Sequence, residues 1–205
     1  DKRIMTACYT NIGNIYYEQG NNEKALECYE KSLKISEEMG NKSTIGYNLC
    51  NIGIIYKVQG NNEKALEYQL KSLKIREEIG DKEGLGLSLS SIGTIYRAQG
   101  NNEKALEYHE KSLKIWVEIG KKIGMGNSYH NIGNIYVEQG NYEKALKYLL
   151  KSKKILEEIN VITGLDETAK ALMEVYEKLG NNKKALENHK LYVTIKDSLA
   201  KMDAE

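Results

Sequence analysis

The pattern of apolar and polar positions at the start of the chain predicts two consecutive helices. An apolar stripe in the first stretch consists of Met5, Cys8, Tyr9, Ile12 and Tyr16. Its spacing of three to four residues is typical of an amphipathic helix, and Gly20 follows as the residue favoured just after a helix C-terminus. A second helix is predicted from Asn22, interpreted as its N-cap, to Gly40. Its expected buried stripe consists of Ala25, Tyr29, Ser32, Leu33 and Ser36.

This two-helix pattern recurs every 40 residues. The segment QGNNEKALE occupies 19–27, 59–67 and 99–107, and related segments begin at 139 and 179. Such a fixed period is the signature of a repeat architecture. The chain is expected to be a single array without a second domain, with repeats at about 2–40, 41–80, 81–120, 121–160 and 161–202. The fifth repeat diverges most, with Ala171-Leu172-Met173 in place of NIG, and a terminal, cap-like role is expected for it.

A glycine interrupts the first helix of four repeats. These glycines are Gly13, Gly53, Gly93 and Gly133. Glycine inside a helix costs about 1 kcal/mol relative to alanine, so its recurrence calls for a compensating contact. An alanine recurs 12 residues after each glycine, beginning with Ala25. We expect these small residues to let the two helices of a hairpin approach closely.

The recurring residues also resemble a known repeat family. The order Ile12-Gly13, Tyr16, Gly20, Ala25 and Tyr29 resembles the tetratricopeptide repeat, with Tyr9 where that family commonly has Trp. The usual repeat has about 34 residues, and the 40-residue unit is similar to those of Pins-type adaptors, kinesin light chains and bacterial signalling regions. The resemblance implies an all-α, right-handed superhelix of five helical hairpins. It also implies that the first helices line a concave groove that binds a protein or peptide segment.

Composition argues against several classes of protein. The 205 residues include 30 Lys and Arg against 29 Asp and Glu, a net charge of +1. Nucleic-acid and membrane-surface proteins favour a strong basic excess, so neither partner is expected. Three cysteines without metal-type spacing fit a reducing compartment, which favours the cytoplasm, with a periplasmic sensory region as the alternative. The chain opens at Asp1 rather than Met, as an excerpt of a longer protein would.

No group of residues in the sequence predicts catalysis, a metal site or a cofactor. The histidines are His109, His130 and His189. They lie in different repeats and share no helix turn, so structural roles are expected for them. No Ser, Cys, His and Asp residues have a spacing that helices would bring together as a catalytic set. We therefore expect a protein that is not an enzyme.

Candidate binding residues flank the buried stripe of the first helices. Asparagine is a mediocre helix former, so its repetition inside helices favours a binding role, although recent duplication would also repeat the letters. An Asn amide can pair with both the C=O and the N–H of a peptide unit. Lys57 and Arg97 occupy matching positions and would select carboxylates. The candidate peptide-binding residues are Asn11, Asn14, Tyr17, Asn51, Lys57, Thr94, Arg97, Asn127, His130, Asn131 and Asn134.

Three functions are compatible with this pattern. The first is a scaffold that holds an extended, acidic protein segment in its groove. The second is a structural array that stacks end to end, because near-identical repeats can continue across an uncapped end. The third is a sensory region that regulates a kinase or cyclase domain of a larger bacterial signalling protein.

Overall fold

The computed structural model describes residues 1–202, and the regular structure of these residues is entirely helical. The helices are α1 (Lys2–Glu18), α2 (Asn22–Glu38), α3 (Lys42–Val58), α4 (Asn62–Ile79), α5 (Lys82–Ala98), α6 (Asn102–Glu118), α7 (Lys122–Glu138), α8 (Tyr142–Glu158), α9 (Leu165–Lys178) and α10 (Asn182–Met202). The predicted all-α class and the two-helix repeat are confirmed. Within residues 1–202, none of the helices combines the length and the apolar character needed to cross a bilayer.

The chain divides into two compact parts. The N-terminal part is Asp1–Tyr108, and the C-terminal part begins at His109. In the N-terminal part α1 packs against α2 and α3 against α4, and α5 packs on the second of these hairpins. In the C-terminal part α7 packs against α8 and α9 against α10. Pairing of helices that follow one another in sequence gives the predicted hairpins.

The QGNN segment forms the turn of each hairpin. Gly20 has a φ of +75°, a left-handed conformation that glycine adopts without strain and that ends α1. The cap of α2 is Asn21, whose side-chain oxygen accepts a hydrogen bond from the Lys24 N–H at 3.2 Å. The prediction of Asn22 as the N-cap is therefore wrong by one residue. A capping side-chain oxygen accepts from the amide two or three positions later, and the amide of Lys24 lies three positions after Asn21. The same bond recurs in repeats 2 and 4.

The glycine inside the first helix allows close contact within the hairpin, as predicted. A Cβ atom added at Gly53 would lie 2.9 Å from Gln69 Nε2 and 3.2 Å from the Ala65 carbonyl oxygen. One added at Gly133 would lie 2.7 Å from Leu149 Cγ. Even alanine at these positions would require the Gln69 and Leu149 side chains to shift, and at Gly53 also the Ala65 carbonyl. Packing between the helices therefore offsets the unfavourable helix propensity of glycine.

Buried serines of the second helices join neighbouring hairpins. Ser32 is completely buried, and its hydroxyl donates to the Thr6 carbonyl at 3.2 Å and accepts from Asn48 Nδ2 at 2.8 Å. Thr6 belongs to the same repeat, whereas Asn48 belongs to the next one. In the following junction the Ser72 and Ser88 hydroxyls lie 3.1 Å apart. The predicted buried position of Ser32 is thus a polar link between repeats.

The predicted apolar stripe of α1 is mostly exposed. Its exposed members are Met5, Cys8 and Ile12. The counterpart of Ile12 in the next repeat, Ile52, is completely buried, because it packs with Ala25 and Tyr29 of the preceding hairpin. The stripe is therefore buried where a preceding hairpin covers it, and within residues 1–202 no hairpin precedes α1.

Candidate functional site

The first helices of consecutive repeats lie side by side in the N-terminal part. Asn14 Nδ2 of α1 lies 3.3 Å from the Tyr47 hydroxyl of α3, and α3 contacts α5. Between α3 and α5 lies a cavity of about 340 Å³, lined in part by Asn51 and Ser91. We call this surface the first-helix face. The predicted binding residues on it are Asn11, Asn14, Tyr17, Asn51, Lys57, Thr94 and Arg97.

Asparagines at one repeat position keep their side-chain amides available. Asn11 is exposed, and Asn51 and Asn131 are partly exposed. None of the three forms a side-chain hydrogen bond within the described chain. Ser91 occupies the same position in α5. Because each amide retains both its donors and its acceptor, these side chains can bind the N–H and C=O of a peptide unit.

Other predicted residues are already engaged within the protein. Asn14 Oδ1 accepts a hydrogen bond of 2.7 Å from the Tyr29 hydroxyl of α2. In the C-terminal part, Asn134 Nδ2 lies 2.8 Å from His130 Nε2, and His130 Nδ1 lies 3.0 Å from Thr168 Oγ1 of α9. Asn14 and His130 thus link neighbouring helices, whereas Asn134 bonds to His130 within α7. Only part of the hydrogen-bonding capacity of these three side chains remains for a ligand.

Two cations lie close together on the first-helix face. Burial of Lys57, and next the positive charge of Arg97, lower the pKa of the Lys57 ammonium group. Within residues 1–202, Lys57 forms no hydrogen bond or ion pair with another side chain. An anion bound here would relieve both the repulsion and part of the desolvation cost of Lys57.

The remaining predicted residues contribute surface to the two parts. Tyr17 is 37% exposed at the C-terminal end of α1. The Thr94 hydroxyl donates to the Ser90 carbonyl at 3.0 Å, as a threonine inside a helix often does. Asn127 is exposed on α7 in the C-terminal part. A binding role for these three residues remains a prediction, because their contacts neither support nor oppose it.

A buried cation that the sequence reasoning did not select forms part of the cavity wall. Arg76 is 6% exposed, and its guanidinium donates to Ser72 Oγ at 3.1 Å and to Asp81 Oδ2 at 2.9 Å. The absence of a side chain at Gly84 makes room for it, because an added Cβ would overlap the guanidinium. The counterparts of Arg76 are Ser36, Trp116 and Leu156. Variation at this one position of otherwise similar repeats is the sequence signal that could have pointed to the Arg76 site.

The cavity wall also contains the thiol of Cys50. Among residues 1–202, no group of three or more His, Cys, Asp and Glu side chains is placed to hold a metal ion. Burial raises the pKa of the Cys50 thiol in the cavity wall and outweighs the opposite effect of Arg76. A thiol kept neutral in this way is a poor nucleophile. The side chains that line the cavity include the Asn51 amide, the Ser91 hydroxyl and the carboxylates of Asp81 and Glu83.

Comparison with known proteins identifies the repeat. The tetratricopeptide repeat family model matches residues 4–78, 44–116, 84–158 and 124–198. A search of curated proteins found no match.

Solved structures of several proteins share the fold. One is a signal transduction ATPase with numerous domains (STAND) from Pyrococcus horikoshii, which has a tetratricopeptide repeat sensor. Its sequence is 27% identical to this chain and the TM-score is 0.81; the match covers 97% of this chain and 31% of that chain. A Rap protein complexed with Competence and Sporulation Factor is 18% identical to this chain, with a TM-score of 0.84. That match covers 95% of this chain and 55% of that chain. A putative kinesin light chain from Podospora anserina with nearly identical repeats is 16% identical to this chain, with a TM-score of 0.72. That match covers 97% of this chain and 97% of that chain.

These matches agree with the hairpins, the turn glycines and the glycine contacts described above. The family model alone spans residues 4–198 through its four overlapping matches. The chain belongs to the tetratricopeptide repeat family.

Proposed function

We propose that this protein is a non-catalytic scaffold whose first-helix face holds an extended, acidic protein segment. The observation that carries the proposal is the combination of available asparagine amides at one repeat position with a cation, Lys57, that lacks an anionic partner within residues 1–202. Three free cysteines fit a reducing compartment, and we propose that the protein acts in the cytoplasm.

The asparagines would fix the backbone of the bound segment. Asn11 and Asn51 occupy the same position in consecutive first helices of the N-terminal part. Each amide offers a donor and an acceptor, so it can pair with a peptide unit whatever the side chain of that unit. Binding at successive repeats would hold the segment in an extended conformation. Asn131 offers the same chemistry in the C-terminal part.

The cations would select the charge of the segment. Lys57 is partly buried beside Arg97, so that its positive charge is incompletely solvated. A carboxylate at this point gains from both cations, and the guanidinium can bind it with two parallel hydrogen bonds. Acidic segments would therefore associate faster and dissociate more slowly than neutral ones, with an effect that salt weakens.

The comparisons support binding of a peptide or protein segment. Among the structures that share the fold, one is a Rap protein complexed with Competence and Sporulation Factor, and another is a Rap conjugation gene regulator in complex with the Phr* peptide. The sensor of the STAND protein supports a second use of the same face, in which this chain is the sensory region of a larger signalling protein. In that case the bound segment would control a domain outside these 205 residues.

Display selection of peptides against the chain, followed by fluorescence anisotropy, tests the proposal. Asn51→Ala should weaken binding of a selected peptide by about 1–3 kcal/mol, because a desolvated peptide group loses its partner. Arg97→Glu should weaken binding strongly at low salt and less at high salt.

A charge-matched control is available on a second helix. Lys147 is exposed on α8, and repeats 1 to 3 have glutamate at this position. Lys147→Glu changes the net charge as Arg97→Glu does and should leave binding unchanged. Selected peptides that bind equally well to the Asn51 and Arg97 variants would refute the proposal.

A further inference from the structure

Apolar side chains interrupt the polar first-helix face at one junction between repeats. Tyr47 and Leu87 are 40% and 49% exposed, and Ile54 is partly exposed. All three line the cavity between α3 and α5. They belong to repeats 2 and 3, which other repeats precede and follow in the sequence. This apolar surface therefore lies inside the array of repeats.

The other repeats have smaller or polar side chains at the same positions. The counterparts of Tyr47 and Leu87 are Ala7, Asn127 and Glu167. The counterparts of Ile54 are Asn14, Thr94, Asn134 and Glu174. These repeats form the same pair of helices without an apolar residue at these positions. The fold therefore does not require the three apolar side chains, which favours a binding role for them.

The charges in the cavity wall favour a neutral occupant. Arg76 contributes a buried cation that already bonds Asp81, and Glu83 adds a second carboxylate. A basic side chain in the cavity would meet the guanidinium, whereas an acidic one would meet the two carboxylates. Either ion would also lose part of its hydration. An apolar side chain avoids both costs and gains from the removal of its surface from water.

The cavity lies next to a cation of the same face. Ile54 lies three residues before Lys57 on α3, and residues three apart are neighbours on one side of a helix. Asn51, in the cavity wall, lies about 9 Å from Lys57 along the helix axis. An extended segment covers this distance in about three residues. A segment with an apolar side chain in the cavity can therefore place a nearby carboxylate at Lys57.

We propose that the cavity between α3 and α5 is an anchor pocket for one large apolar side chain, namely leucine, methionine or phenylalanine, of the acidic segment bound by the first-helix face. The inference rests on the proposed function and adds the residue type that the segment carries near its carboxylate. The cavity volume of about 340 Å³ lies at the lower end of the range for small-ligand sites and suits a single side chain. Buried anchors of this kind contribute a large share of the affinity of an interface.

Peptides selected by display against the chain should share an apolar residue within about three positions of an acidic one. The variant Ile54→Asn/Leu87→Asn tests the pocket, and its circular dichroism should match that of wild type because repeat 4 has asparagine at both positions, Asn134 and Asn127. Fluorescence anisotropy should show that a selected peptide binds this variant about tenfold or more weakly than wild type. Alanine in place of the shared apolar residue of the peptide should weaken binding to wild type by a similar factor and binding to the variant by much less. Val117→Asn, at a side chain 53% exposed on α6, is the control and should bind the peptide as wild type does.

The outcomes separate this inference from the proposed function. If Asn51→Ala and Arg97→Glu weaken binding but Ile54→Asn/Leu87→Asn does not, the face binds acidic segments without this pocket, and the inference is wrong. Selected peptides that share no apolar residue, or that share a lysine or arginine in its place, would also overturn it. Peptides that bind equally well to all of these variants would refute the proposed function, and the inference with it.

Discussion

Replacement of Gly84 by threonine should expel Arg76 from its buried position. Threonine is the residue at this position in repeat 2, Thr44. At Gly84, in repeat 3, the new Cβ would overlap the Arg76 guanidinium, which would lose its hydrogen bonds to Ser72 and Asp81. The displaced arginine would also leave part of its site unfilled.

The expected cost follows from these contacts. Overpacking at a tight site costs about 1–3 kcal/mol, and a buried hydrogen bond to a charged group contributes about 1.5–3 kcal/mol. The Asp81 side chain is 35% exposed, so solvent screens its bond and lowers that contribution. Replacement of glycine by threonine within a helix recovers a few tenths of a kcal/mol. We expect Gly84→Thr to lower the free energy of unfolding by about 2–4 kcal/mol.

The second substitution Arg76→Ser should restore much of this loss. The junction between repeats 1 and 2 combines Ser36 with Thr44, so the double variant recreates a pair that the fold already contains. Arg76→Ser alone should destabilise, because it leaves a void beside Gly84 and removes a partner of Asp81. A favourable coupling of about 1–3 kcal/mol between the two substitutions is expected.

Urea unfolding followed by circular dichroism at 222 nm, on wild type, both single variants and the double variant, completes the cycle. The reasoning requires the double variant to be more stable than Gly84→Thr. Additive losses, or a Gly84→Thr protein as stable as wild type, would show that Arg76 and Gly84 do not share one space.

Three further predictions concern the hairpin contacts, the thiols and Lys57. Gly133→Ala should lower the free energy of unfolding by about 1–3 kcal/mol, because its Cβ would lie 2.7 Å from Leu149 Cγ; fluorescence of the single Trp116 reports the unfolding, and an unchanged transition would contradict the packing account. Cys8 should react rapidly with a thiol reagent, because it is exposed. Cys28 and Cys50 should react only after unfolding, because both are buried and burial raises the pKa of each thiol. Equal reaction rates for the three cysteines would refute this assignment of burial. The pKa of Lys57 is lower in the folded than in the unfolded state, so the free energy of unfolding should increase as the pH rises through the folded-state pKa of Lys57. Lys57→Arg should remove this increase. The same dependence of the free energy of unfolding on alkaline pH in both proteins would contradict the assignment.

Sequence reasoning succeeded where the signal was local or repeated. The 40-residue period predicted the hairpins, and the turn at Gly20 follows from the preference for glycine after a helix end. The spacing between Gly13 and Ala25 predicted close packing within a hairpin, which the contacts of Gly53 and Gly133 confirm.

Burial and hydrogen bonding could not be predicted from repeated letters. Ile12 and Ile52 both lie in an NIG segment, yet one is exposed and the other buried, because within residues 1–202 only the second has a hairpin before it. Likewise, Asn14 bonds to Tyr29, 15 residues away, whereas Asn11 has no such partner. The Arg76 site depends on Gly84 across a helix boundary, which no helical periodicity reveals.

The proposal of a first-helix binding face is tested most directly by NMR of the asparagine side chains. In a titration of the labelled chain with a selected acidic peptide, the account predicts a shift of the side-chain NH₂ resonances of Asn51. The helix caps Asn61 and Asn141, whose oxygens bind backbone amides, should not shift. Shifts confined to residues of the second helices, with Asn51 unchanged at saturation, would contradict the account.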